Sequence, residues 1–158
     1  MPAPNAGLAK PAAVGLLVGR LLLALIFVHE GWTIMGKFGD AATYMQKFGV
    51  SGRLLPAVIA LELCGGFLIV VGVFTRLVAS AFAIFCMLTA VLFHAQFADS
   101  NQLLHFQKDL AIAGGFLVLA VSGPGTLSAD RYIEVYLRRR RGAPRRAGPR
   151  LNNGAGLS

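Results

Sequence analysis

Long apolar runs separated by short polar breaks dominate the chain. Four runs stand out, from Ala13 to Met35, Leu54 to Phe74, Leu77 to Ala98 and Leu103 to Ser122. Each is near the ~20 residues that a helix needs to cross the hydrocarbon of a bilayer. The pattern predicts an all-α fold, a four-helix transmembrane bundle. Between the first two runs, Ala41 to Phe48 fits two helical turns with Tyr44, Met45 and Phe48 on one face. Such a helix suits the membrane interface at the mouth of the bundle. Gly49, Gly52 and Pro56 then turn the chain into the second span. After the fourth span Gly123-Pro124-Gly125 breaks the helix. Ser128 and Asp130 can cap a last short helix running to Tyr136, whose Tyr132 and Tyr136 suit the interface.

Composition narrows this further. Of 158 residues, 56% are hydrophobic and 14% charged, against about 25% charged in soluble domains. One membrane domain, residues 13–136, takes up nearly everything. Residues 1–12 read as a disordered lead and residues 137–158 as a disordered, Arg-rich tail. There is no space for a separate catalytic domain. Lys10 ahead of an apolar run is also how a secretory signal begins. Arg20 interrupts the run and no clean cleavage site follows, so the first span is read as retained, with a cleaved signal as the alternative.

Charge gives orientation. The net +8 is concentrated in Arg138, Arg139, Arg140, Arg141, Arg145, Arg146 and Arg150. Directly after a membrane span, such a cluster is a cytoplasmic anchor under the positive-inside rule. Lys10 and Arg76 agree, so both termini are expected in the cytoplasm of a multi-pass protein of the bacterial inner membrane. The outer loop from Gly36 to Arg53 is less basic, although it holds Lys37, Lys47 and Arg53. The lipid bilayer is the expected partner, with weak headgroup binding by the tail. Nucleic acid is not, because no aromatic residue follows Tyr136 to build a stacking platform.

Ionisable residues inside the spans are the candidate chemistry, because burying each costs roughly 2.5–3.5 kcal/mol on insertion scales. At ~1.5 Å per residue, Glu62 lies roughly 12 Å below the outer end of span two, and Lys108 and Asp109 roughly 8 Å down span four. His29, Glu30, His94 and His105 also fall in the outer half. Arg20 alone is in the inner half, where it can snorkel. His105, Lys108 and Asp109 share a helix face, and Glu62 is the natural counter-ion of Lys108. Arg20, Glu30, Glu62, Lys108 and Asp109 make three negative charges against two positive. One carboxyl is therefore expected to be protonated or paired with a charged histidine. Two readings stay open: a Glu62–Lys108 pair that only locks helices together, and a polar pocket opening to the outer side.

Other chemistry finds little support. The three histidines could ligate a metal if they converged, but their spacing does not demand it, and no metal site is assigned. No phosphate loop, nucleophile elbow, His-Glu-x-x-His motif or haem-type histidine pair is present. Cys64 and Cys86 lie in different spans and read as small core residues, with a thiol pair as the alternative. Gly15 and Gly19, Gly65 and Gly66, and Gly114 and Gly115 could let helices approach closely.

The motifs together resemble the DoxX family. Phe27-Val28-His29-Glu30-Gly31-Trp32 with Gly36-Lys37-Phe38-Gly39 looks like its first-span signature, and Tyr44-Met45-x-Lys47-Phe48-Gly49-Val50 its outer-loop segment. Glu62-Leu63-x-Gly65-Gly66, Gly72 and Thr75-Arg76 match its second span and inner turn. Phe93-His94, Asp99, Asn101-Gln102, His105-Phe106, Lys108 and Ala113-Gly114-Gly115 match the remainder, closed by Gly123-Pro124-Gly125 and Asp130. The likeness covers about residues 14 to 133 and leaves out the tail. Asp109 departs from the family's usual Asn, and Ser51 from a frequent Pro.

The resemblance implies a small four-helix membrane protein linked to redox or thiol homeostasis through a partner enzyme. The family takes its name from a subunit of a thiosulfate:quinone oxidoreductase. On that basis the expected function is a membrane subunit of a quinone- or thiol/sulfur-linked redox system, with quinone the candidate cofactor. Glu62 and Lys108 would manage proton and charge, and His29, Glu30, His94, His105 and Asp109 would line the pocket. Arg76, Asp130, Gly65, Gly66, Gly114 and Gly115 would be structural. The rival readings are a small-solute permeation protein, which as a homodimer would have eight spans, and a non-catalytic assembly factor.

Overall fold

A computed structural model describes residues 9–141. Four helices long and apolar enough to cross a membrane run over Pro11–Gly36, Gly52–Val71, Thr75–Phe93 and Ser100–Ser122. They are called spans one to four. No strand occurs among the described residues. Neighbouring spans pack in the order one, two, three, four and back to one, which leaves spans two and four on a diagonal. Spans three and four share the most extensive contact. Both described ends of the chain lie at one end of the bundle, termed here the terminal end. The opposite, distal end carries the loop helix Phe38–Lys47 and the link between spans three and four.

Lipid exposure explains the surface. Leu22, Phe67, Leu77 and Val118 are all more than half exposed, an arrangement stable only where the surroundings are apolar. Inside, three rings from three spans form the core. Phe82 stands 4.2 Å from Phe27 and 4.9 Å from Phe116, centroid to centroid. Gly65 makes room for Phe82, since a Cβ there would sit 3.0 Å from the ring. A Cβ on Gly66 would come 2.7 Å from Val28. Small residues thus set the approach of span two to its neighbours. Gly115 meets Leu23 in the same way, whereas Gly15, Gly19 and Gly114 have nothing within 4 Å where a Cβ would lie. The expected close approach at those three positions does not occur.

The terminal end is tied by polar side chains acting on backbone. Arg20, 2% exposed, was expected to snorkel. Instead its guanidinium donates to the carbonyls of Pro124 (2.9 Å), Val70 (3.2 Å) and Leu127 (2.9 Å). These carbonyls lie in the last turn of span two and in the segment after span four, where no helical N–H reaches them. Asp130 acts across the bundle. Its carboxylate accepts from the N–H groups of Phe74 (2.9 Å) and Thr75 (3.0 Å) and so caps span three, while its own N–H donates to Gly72. That grip holds Phe74 at φ 50°, a left-handed conformation costing an aromatic residue about 1–3 kcal/mol. Arg76 lies over Gly123, with Nε 3.1 Å from where a Cβ would be. Arg76 and Asp130 thus both stand at this end of the bundle.

Several element boundaries moved. Span three ends at Phe93 rather than near Ala98; His94 to Asp99 form the link, and Asp99 caps span four by accepting from Asn101 N–H at 2.8 Å. The last helix, Ala129–Arg141, runs past Tyr136 and is capped by Ser128, which accepts from Arg131 N–H at 3.2 Å. Span one begins within the expected lead, its helix starting at Ala9. Arg145, Arg146, Arg150 and most of the expected lead and tail lie outside the described residues.

Candidate functional site

A cavity of about 620 Å³ opens in the distal half, bounded by all four spans and by the loop helix. Its floor rests on the aromatic core through Phe27 and Phe85, and Ile26, Val58 and Ile112 line its walls. Met45 of the loop helix is buried beneath the lid, and Tyr44, Phe48 and Phe93 stack into a cluster with centroids 5.0–5.9 Å apart. The apolar face expected of the loop segment lies along this mouth.

Glu62 is the deepest ionisable group at the cavity. It is 4% exposed, and its Oε2 has no hydrogen-bond partner among the described residues. It sits in a π-helical turn, Leu61–Gly65, between the α-helical segments Leu55–Ala60 and Gly66–Val71 of span two. Such turns re-aim side chains and are common at functional sites. Gly31 of span one lies against it, where a Cβ would stand 3.0 Å from both Glu62 Cβ and Leu63.

Across the cavity, span four contributes His105, Lys108 and Asp109. The expected Glu62–Lys108 ion pair is not formed, and no such contact within 4.0 Å exists among the described residues. The cause is topological: spans two and four are diagonal, and the cavity occupies the space between them. Asp109 turns instead toward span three. Thr89 Oγ1 donates to its Oδ2 at 3.2 Å, and His94 Nε2 lies 3.9 Å from the same oxygen. His94 Nδ1 and Gln102 Oε1 are 2.7 Å apart, and with Oε1 as acceptor Nδ1 carries the proton. The His94 and His105 rings stack at 5.1 Å. A polar chain thus leads from Gln102 to His94 and on toward Asp109, its last step of 3.9 Å beyond hydrogen-bond distance.

Of the residues expected in a pocket, Glu30, Glu62, His94, His105, Lys108 and Asp109 line the cavity. His29 does not. It is exposed on another face of span one, and its carbonyl accepts from Thr33 Oγ1 at 2.9 Å. Three or more ligands suitable for a metal do not gather anywhere among the described residues. Both thiols are free: Cys86 is buried and lines the cavity, whereas Cys64 is exposed on span two. Thr89, Gln102, Cys86, Lys37 and Asp40 were not expected at the site. Thr89, a hydroxyl in an apolar run on the Cys86 side of span three, was the available signal.

These features define an integral, multi-pass membrane protein with a ligand-sized cavity bearing ionisable groups in one half of its bundle. Residues 15–95 match the DoxX family, and the chain belongs to it. Two relatives from Escherichia coli (strain K12) agree. The inner membrane protein YqjF is 45% identical over 120 residues, covering 76% of this chain and 92% of its own. The inner membrane protein YphA is 38% identical over 132 residues, covering 79% and 93%. No solved structure matches the chain.

Proposed function

We propose that this protein is an inner-membrane subunit of a redox system, holding the head of a quinone or a small thiol-sulfur compound in the distal cavity. Both termini face the cytoplasm in this reading, so the cavity opens toward the outer side. The observation that carries it is Glu62: a buried carboxyl with a free oxygen at the floor of a ligand-sized space. A carboxyl buried without a partner weakens a fold unless a ligand or a proton satisfies it. The walls supply what a quinone head needs, apolar surface for the ring and a few donors for its oxygens. Lys108 and His105 donate; Asp109, held by Thr89 and facing His94, tunes them. Reduction of a quinone takes two electrons and two protons. The electrons are assigned to a partner protein and the proton route to Glu62 and the His94–Asp109 chain.

Permeation, whether by one chain or a homodimer, draws less support. The Phe27–Phe82–Phe116 cluster and the Arg20 ties close the bundle beneath the cavity. A pure helix lock draws less support too, because Glu62 and Lys108 do not pair. The test is extraction of quinone from detergent-purified protein, wild type against a folded Glu62→Gln variant. Stoichiometric quinone that is lost in the variant is expected. Background quinone in both would remove the quinone reading.

A further inference from the structure

The last helix, Ala129–Arg141, has one face that the protein leaves uncovered. Tyr132 is 76% exposed, and Ile133, Tyr136 and Leu137 are each close to half exposed. At 100° per residue these four fall within one sector of the helix. The opposite side is held by a charge network, with Glu134 bonded to Arg131 at 2.7 Å and to Arg138 at 2.6 Å. Arg139 borders the apolar sector, whereas Arg140 stands within it one turn beyond Tyr136, its guanidinium 4.8 Å over the Tyr136 ring. The start of the helix is fixed to the bundle by Asp130, directly beyond span four. Beside that anchor, Arg76 and Arg131 line a cleft of about 550 Å³. Arg76 makes no ion pair among the described residues.

We infer that this helix is a docking surface for anionic phospholipid of the adjoining leaflet. Its apolar sector enters the headgroup–acyl boundary, and Arg139 at the sector's edge and Arg140 snorkelling from its C-terminal end meet the phosphates. Two features select this occupant. An exposed aromatic and aliphatic stripe flanked by arginines matches an interface that is apolar below and negative above. The helix is also tethered at the end of a membrane span, so the leaflet lies within its reach. The Glu134 network keeps the opposite side polar and compact. Lipid composition would then govern how firmly the terminal end is held. The inference does not rest on the redox reading.

The test uses full-length protein in nanodiscs, in a Trp32→Phe background with a single new tryptophan. Ile133→Trp places it in the apolar sector and Arg138→Trp on the charged side. Quenching by brominated phosphatidylglycerol is expected to be severalfold stronger at 133 than at 138. It is expected to fall at 133 when brominated phosphatidylcholine replaces the anionic lipid. Combining Arg139→Gln and Arg140→Gln is expected to bring the anionic-lipid value down to the phosphatidylcholine value. Equal quenching at the two positions, or quenching indifferent to lipid charge, would overturn the inference. So would a tryptophan at 133 shielded from both lipids while cross-linking captures a dimer, since a second copy would then cover the face. The lipid comparison is made on one protein, the Trp32→Phe, Ile133→Trp variant, in both lipids, so any effect of its substitutions on stability is common to the two measurements.

Discussion

The two ends of this bundle treat buried charge in opposite ways. At the terminal end Arg20 is as deeply buried as any charged group described; its Nε has no partner among the described residues, but both terminal nitrogens donate, to three backbone carbonyls in all. Asp130 spends both carboxylate oxygens on the N–H groups of Phe74 and Thr75. In the distal half Glu62 is nearly as buried, yet one oxygen is idle and the cation opposite lies beyond pairing distance. Stability accounts for the first arrangement. It does not account for the second, because an unpaired buried carboxylate is destabilising unless something else meets it. The contrast makes the terminal end architecture and supports the proposal that the distal cavity holds a ligand.

The contrast breaks most sharply if stability follows the wrong end. Arg20→Leu leaves three carbonyls short of a donor and is expected to cost roughly 3–5 kcal/mol, read from thermal unfolding in detergent. Gly31→Ala drives a methyl into Glu62 and Leu63, with an expected cost of about 1–3 kcal/mol and a loss of bound ligand larger than that stability loss implies. Asp130→Ala removes the cap on span three and is expected to cost about 1–2 kcal/mol, without changing occupancy of the cavity. Glu62→Gln is expected to change stability by less than about 1 kcal/mol while abolishing ligand retention. Equal destabilisation by Arg20→Leu and Glu62→Gln would erase the distinction between the ends.

The smallest effect concerns pH. Hydrogen bonding from Arg131, with the nearby charge of Arg138, holds the Glu134 carboxyl below its ordinary value of 4.5. A carboxyl whose value is lowered by folding contributes support above its unfolded value and loses it as pH falls through the folded one. Hydrogen exchange over residues 131–138 should therefore be unchanged from about pH 7 to about pH 5, after correction for intrinsic rates, and rise only in stronger acid. An earlier rise would mean that the network is not formed in solution.

Much of this was legible in the sequence. Run length located four spans, with most ends within about three residues, because bilayer thickness imposes that length. Tyr44, Met45 and Phe48 marked the lid by helical spacing. The DoxX motifs gave the family. Depth along a helix also placed six of seven ionisable residues at one cavity. Depth does not give azimuth across a bundle, and this is why His29 faces away and why Glu62 and Lys108 do not touch. The π-turn that aims Glu62 depends on packing against span one and leaves no local signature in Leu61–Gly65. Arg20 and Asp130 act on backbone groups 50 or more residues away, contacts that no local pattern announces.

Glu62 reactivity tests the central claim most directly. Dicyclohexylcarbodiimide attacks protonated carboxyls in apolar surroundings, and peptide mapping locates the adduct. The account expects modification at Glu62, reduced when a short-chain quinone analogue is added before the reagent. An unreactive Glu62, or labelling that the quinone leaves unchanged, would contradict a ligand site built on this carboxyl.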